Sequence, residues 1–177
     1  MGAPDEMLNA AGFSDSPHLF YSGYDEKGEW FQLFQIGFGG VPGRPVGDGP
    51  DGHSLWPAFT NVPNEFIEAY FPLRVEKYET IIDSGGPGLH RGGNGLCVAY
   101  RFLADGQIGI HDDRWLTFPW GVNGGKPGRR STKILHREGE DPQVVPAKCE
   151  GIKVSKGDLL YFNTWGGGGW GDPLERD

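Results

Sequence analysis

A chain of 177 residues is long enough to bury one substantial core and short for two, so a single domain over residues 1–177 is expected. Its 16 Lys and Arg against 24 Asp and Glu leave a formal charge of −8, which removes the electrostatic basis for holding nucleic acid or an anionic membrane. No apolar run approaches the roughly 20 residues of a bilayer-spanning helix, and Cys97 and Cys149 follow no charged and apolar leader, so a cytoplasmic protein without a disulfide framework is expected.

The 31 glycines stand far above the roughly 7% of an average chain, and 14 prolines add to the punctuation. Such a chain favours turns over long helices. The aromatic content of 13% supplies the large apolar side chains that disordered chains lack. Together these features predict a mainly β, turn-rich sandwich or barrel-like domain with one or two short helices.

In chain order, residues 1–38 read as a helix followed by a hairpin. Ala3 to Ala11 carries helix formers, with Pro4 at a first turn and Gly12 as a stop. His18 to Tyr24 and Glu29 to Phe38 are aromatic and β-branched runs joined by the turn Asp25-Glu26-Lys27-Gly28. Trp30, Gln32, Phe34, Ile36 and Phe38 share one face of the second run, with Phe31, Leu33 and Gln35 opposite. Both faces are largely apolar, which predicts a strand covered on each side. Residues 39–62 form a long loop too rich in Gly and Pro for a regular element, and loops of that size are usually functional or docked on a partner. The β-rich region 63–177 opens with a short helix, Asn64 to Phe71, capped by Asn64 and ended by Pro72. Strands follow at Arg74–Asp83, Gly95–Leu103, Gln107–Asp112, Ser131–Glu138, Gln143–Ala147 and Asp158–Thr164. Gly-Gly pairs at 39, 85, 92, 124 and 166 are unevenly spaced, so they are independent tight sites and not a repeat.

The run Asp83 to Gly95, DSGGPGLHRGGNG, could be taken for a phosphate cradle, but it lacks a Gly-Lys-Ser/Thr ending and lies between strands instead of opening a helix. The favoured reading is structural: the glycines hold positive φ or let two backbones approach, and Asp83 pairs with Arg91. Gly166 to Gly169, between Trp165 and Trp170, could offer bare amides to a ligand; a tight corner beneath two indoles explains them as well. His18, His53, His90, His111 and His136 show no paired ligand spacing. His111-Asp112-Asp113 is the best local cluster for a metal, yet neighbouring strand residues face opposite ways, so solvated turn residues, or a pair of Asp112 or Asp113 with Arg114, are the default. Glu65 and Glu68 share a helix face, where two carboxylates can divide acid and base roles, although a solvated face is the commoner use. Cys97 reads as a buried small hydrophobe. The aromatic stretches Trp30–Phe38 and Trp115–Trp120 suit contact surfaces.

Five phrases occur in a fixed order: Asn61-Val62-Pro63-Asn64-Glu65-Phe66-Ile67-Glu68 with Phe71-Pro72; Asp83 to Gly95; Asp113-Arg114; Pro119-Trp120-Gly121-Val122-Asn123-Gly124-Gly125-Lys126-Pro127-Gly128; and Gly166 to Arg176. From Gly39 to Arg176 the chain therefore resembles the carboxy-terminal part of the hydantoinase B/oxoprolinase family. The resemblance implies one subunit of an ATP-dependent enzyme that hydrolyses a cyclic amide (hydantoin, oxoproline or lactam) or carboxylates a ketone such as acetone or acetophenone. A non-catalytic scaffold in such a complex is the remaining reading. The family's metal motif, of the kind N-D-P-Y-x-G-G-T-H, belongs to its amino-terminal part and has no counterpart here. Relatives also run on beyond Asp177. The resemblance therefore implies a chain not active alone and binding no cofactor itself, with ATP and a divalent metal on partner subunits. Those partners would be a hydantoinase A-type ATP-binding subunit and a separately encoded amino-terminal hydantoinase B-type piece. No catalytic residue carries over. Asp83, Arg91, Asp113, Arg114, Glu65 and Glu68 are the candidates for substrate binding or interface contact.

Overall fold

The computed structural model describes residues 3–12, 17–53 and 60–176, so positions 54–59 of the long loop lie outside the described residues. The expected hairpin is present as β1 (His18–Tyr24) and β2 (Trp30–Ile36), paired from His18 with Ile36 to Tyr24 with Trp30. Its turn closes on Asp25, whose carboxylate accepts the Lys27 and Glu29 amides, and on Gly28 at φ 79. Next come α1 (Asn64–Tyr70), β3 (Leu73–Thr80), β4 (Leu96–Phe102), β5 (Gly106–His111), β6 (Thr132–His136), β7 (Gln143–Val145), β8 (Lys148–Val154) and β9 (Leu159–Asn163).

The strands form two antiparallel sheets, β2-β1-β5-β8 and β3-β4-β9-β6-β7, and neither closes on itself. The architecture is a sandwich, not a barrel. One core cluster takes side chains from both sheets: Leu19, Tyr21, Leu33, Ile108 and Ile110 from the first, Tyr100, Phe102, Leu135, Leu160 and Phe162 from the second. The rings of Tyr21 and Phe102 meet across the gap at 4.8 Å. Buried Tyr21 donates its hydroxyl to the Ala104 carbonyl at 2.7 Å, and burial pushes its pKa up to about 12.

Several expectations need correction. The amino-terminal segment is helical only as a single 3-10 turn, Asp5–Met7. A helix of that length is marginal alone; here Ala10 and Ala11 are buried and donate their amides to Gly43 and Trp120 carbonyls instead. Pro63, not Asn64, occupies the cap position of α1, because the Phe66 and Ile67 amides already reach the Pro63 carbonyl and Asn64 is inside the first turn. β2 is covered on one face only. Phe31, Leu33 and Gln35 point into the core, whereas Trp30, Gln32 and Phe34 face solvent. The strand buried on nearly every position is β4 instead: small Cys97 and Ala99 are sheltered on its outer face by their longer neighbours across the sheet, Glu79, Lys77 and Tyr161. β8 was not foreseen. Its sequence KCEGIKV mixes charges with Gly151 at φ 69, and a register shift opposite Ile108 and Ile110 breaks the alternation, as suits a sheet edge.

Strand register sets where the loops go. The ends of β2, β3, β5 and β9 and the starts of β4 and β6 lie together: Ile36 and His111 both pair with His18, Thr80 with Leu96, and Asn163 with Cys97 and Thr132. The glycine-rich segments 37–53, 83–95, 112–131 and 164–172 all leave from that end.

Candidate functional site

Where these segments meet they build a layer of backbone without regular strands. Gly166 to Gly169 runs through its middle. The Gly166 amide donates to Arg129, Gly167 to Gly93, Gly168 to Ala11 and Gly169 to Lys126, all at 2.7–3.0 Å. Gly166 and Gly169, three apart, address the same neighbouring segment. Their α-carbons also abut the same strip of chain, the first against the Ser84 carbonyl and the second against that of Pro87. A direction that repeats every three residues is the period of an extended polyproline-type helix. Around such a helix three neighbours can pack only if no side chain intervenes: a β-carbon on Gly166 would sit 1.8 Å from the Ser84 oxygen, and one on Gly93 would sit 1.8 Å from that of Pro50. Glycine is required here for close approach and not for positive φ. Four glycine amides of 83–95 are spent in the same network and not on a phosphate: Gly86 donates to Gly167, Gly92 to Gly86 and Gly93 to Val41, while Gly85 donates to the Asn94 side chain.

Charged side chains clasp the layer. Asp48 receives both Nη atoms of Arg176 at 2.7 Å and the Arg91 amide at 2.9 Å. Asp51 receives Arg91 Nη1 and the Asn94 amide, each at 2.7 Å. The Arg176 hydrogen bonds hold the Asp48 pKa at about 2, against burial that pulls it upward. For Asp51 burial also pushes upward, and the Arg91 and Asn94 hydrogen bonds outweigh it, lowering the pKa. A carboxyl depressed by folding contributes stability above its ordinary value of 3.8 and loses that contribution as pH falls through about 2. The expected result is that the thermal midpoint of the native chain exceeds that of Asp48→Asn by a constant margin above pH 4, a margin that closes as pH falls toward 2. Calorimetric scans across that range check it.

Asp83, Arg114 and Asn123 are the described non-glycine residues at positive φ, at 56, 60 and 51°. Such conformations cost of order 1–3 kcal/mol and persist where surroundings over-determine them. At Arg114 the clamp is Ser131, buried, whose amide donates to the Arg114 carbonyl and whose hydroxyl donates to that of Asp113. The strained turn aims the Arg114 guanidinium at the amino-terminal arm, where Nε donates to the Gly12 carbonyl at 2.9 Å and the charge lies 4.9 Å from the Trp120 ring centre. Burial lowers its pKa, and Asp113 opposes that shift. The arm, the Val41–Arg44 segment, Arg114 and Trp120 line a groove of about 430 Å³.

The foreseen residues are only partly brought together. Arg91 pairs with Asp51 and lies 4.0 Å from Asp48, not with Asp83, an exposed turn residue at positive φ. Asp112 and Asp113 pair with lysines instead of Arg114: Asp113 with Lys148 at 2.9 Å, and Asp112 with Lys133 in a contact wholly shut off from solvent that joins the two sheets. Glu65 and Glu68 stand exposed on α1, beside β3; Glu68 accepts the Val75 amide at 2.8 Å, so the two do not face a common site with Arg91 or Arg114. Asp48, Asp51, Asn94, Lys133 and Arg176 were not foreseen. Only Lys133 carried a signal, since it shares the inward parity of Leu135 on β6. Among the described residues no three His, Cys, Asp or Glu side chains converge as a metal-holding group. No described helix is long and apolar enough to cross a membrane.

Outside the layer, the outer face of β1, β2 and β5 is aromatic. Phe20 and Phe34 pack at 4.9 Å and His18 stacks on Phe34 at 5.1 Å, while Phe20, Phe34 and Trp30 remain 38, 50 and 59% exposed. Leu116, Phe118 and Trp120 form a second exposed group beside Arg130 and Arg114.

The family model for hydantoinase B/oxoprolinase matches residues 1–173. A protein of Pseudomonas sp. strain NS671 named as the B-type subunit of a D-/L-hydantoinase is 32% identical over 171 residues, covering 95% of this chain and 28% of that protein. The acetophenone carboxylase delta subunit of Aromatoleum aromaticum is 31% identical over 195 residues, covering 90% of this chain and 28% of the relative. The fold is shared with an ATP-dependent caprolactamase from Pseudomonas jessenii, with a TM-score of 0.79 at 21% identity over 97% of this chain and 31% of that one. The chain thus spans less than a third of the length of each of these relatives. With its glycine phrases folded into one interlocked layer and the family model matched almost end to end, the chain belongs to the hydantoinase B/oxoprolinase family.

Proposed function

We propose that the chain is one component of a cytoplasmic, multi-subunit ATP-dependent enzyme that opens a cyclic amide such as a hydantoin, oxoproline or lactam. A hydantoinase A-type subunit supplies the ATP site, and a separately encoded amino-terminal B-type piece supplies the remaining family-specific chemistry, including a divalent metal. The observation that carries this reading is the aromatic outer face of β1, β2 and β5, where Phe20, Trp30 and Phe34 lie open on a sheet whose other face is core. Solvated aromatic patches of this kind mark protein contacts. Similarity to the acetophenone carboxylase delta subunit favours, as a second reading, the same assembly carrying out ketone carboxylation. A purely scaffolding role shares the contact face and predicts no change in turnover when surface residues of the glycine layer are altered.

Co-purification from the native source, with mass identification of what comes along and an ATPase assay on hydantoin, lactam and ketone substrates, tests the proposal. The expected result is a stable complex with a nucleotide-binding partner and ATP turnover stimulated by one substrate class. Recovery of the chain as a lone monomer would sink it.

A further inference from the structure

We propose that the groove between the amino-terminal arm and Trp120 binds a small organic carboxylate with a flat or apolar body, its carboxylate held by Arg114 and Arg44. The volume of about 430 Å³ falls in the roughly 300–1,000 Å³ range of small-molecule sites. Asp113 acts on the Arg114 charge through space, but its carboxylate is engaged by Lys148 at 2.9 Å, and Arg114 spends its Nε on the Gly12 carbonyl and not on a described carboxylate. Arg44, exposed at the rim, spends one Nη2 hydrogen bond on the Asp48 backbone carbonyl at 3.3 Å. The remaining guanidinium N–H groups suit a carboxylate, which accepts from them in a planar fork. The half-exposed Trp120 indole and the apolar flanks of Ala10, Val41 and Pro42 make the wall for the rest of the ligand.

Backbone strain supports the same assignment. Arg114 sits at φ 60, where glycine would be relaxed, and is clamped there by Ser131; the turn has its guanidinium aimed into the groove. The inference deepens the proposed function and rests on it for the natural ligand. Adding water across the C–N bond of a lactam or hydantoin yields a carboxylate and an amine-type nitrogen, and adding carbon dioxide to the carbon beside a ketone yields a carboxylate as well. Either product carries the group that this groove recognises.

The test uses the full chain and benzoate as the probe, followed by ¹⁵N–¹H spectra in which the Trp120 indole N–H reports directly. Benzoate should shift that resonance saturably and benzyl alcohol should not. Arg114→Gln should weaken binding about tenfold, the scale of one lost charge-assisted contact, and Arg44→Gln by a smaller factor. Should Arg114→Gln fail to fold, the exposed Arg44→Gln decides: unchanged benzoate affinity in that variant overturns the proposal. It is also overturned if Trp120 does not respond, if inorganic phosphate binds as tightly as benzoate, or if an acetylated Glu-Glu peptide binds more tightly, which would make the groove a docking point for a partner's acidic side chain. Benzoate binding does not depend on assembly, so a lone monomer that binds benzoate sinks only the assembly reading, and a complex that ignores benzoate sinks only this one.

Discussion

Gly166→Ala is expected to destroy the native state. Its methyl group would have to occupy space 1.8 Å from the Ser84 oxygen and 2.3 Å from the Ser84 carbonyl carbon, and both are main-chain atoms that cannot swing aside. Relief requires moving residues 84–85, which are tied to Arg129 and Asn94, and so the entire layer. Overpacking on main chain exceeds the usual range for added methylenes, and a loss of about 4 kcal/mol or more is expected, enough to remove most of a typical domain's stability. Gly139→Ala is the matched control. Its φ of 75° disfavours a side chain, but nothing lies within 4 Å of the added carbon. That substitution should cost about 1 kcal/mol, or about 2–4 °C in thermal midpoint for a chain of this size. Equal midpoints for the two variants would show that the layer yields more easily than its geometry implies.

The second large effect lies at the buried pair. Asp112→Ala leaves Lys133 fully enclosed, with only the Asn163 carbonyl at 3.1 Å and the Phe162 ring at 4.2 Å for company. Breaking one partner of a buried ion pair costs about 3–5 kcal/mol, whereas replacing both with apolar groups is often neutral. Asp112→Ala with Lys133→Met should therefore recover most of what either single change loses, as urea titrations of the three variants and the native chain can measure. Burial raises the Asp112 pKa, with Lys133 opposing, and burial lowers that of Lys133, with Asp112 opposing. In Lys133→Met the opposing cation is gone, and the Asp112 pKa rises further. A carboxyl raised by folding holds its proton in the native state over a window where the unfolded chain has lost it, so stability falls as pH climbs through that window. Lys133→Met should thus look milder at pH 5 than at pH 8. Equal losses at the two pH values would mean that Asp112 reaches solvent and keeps an ordinary carboxylate pKa.

Sequence reading succeeded where the cause was local. The β1–β2 hairpin follows from two aromatic runs and a four-residue turn ending in glycine, and β4, β6 and β9 from apolar runs bounded by turns. It failed where the cause was distant. Arg91 finds its carboxylates 40 and 43 residues upstream in the Gly/Pro loop, so the neighbouring Asp83 was a natural but mistaken partner. Both faces of β2 are apolar, and nothing local says that one of them stays uncovered within this chain. β8 hid because an edge strand needs only one buried row and carries lysine and glutamate on the rest. The glycines were readable as tight sites; which backbone each would touch depends on segments far away in sequence.

That distance has a bearing on how the molecule comes together. The Gly168 amide bonds to Ala11, and Gly167 lies against Val41 and Gly93, so the stretch that every neighbouring loop leans on follows all of them along the chain. Contacts between remote residues form slowly, because loop closure must precede any reward from the contact. Both sheets can pair before this stretch arrives, and refolding should then show a late phase in which indole fluorescence from Trp165 and Trp170 changes after strand content is complete.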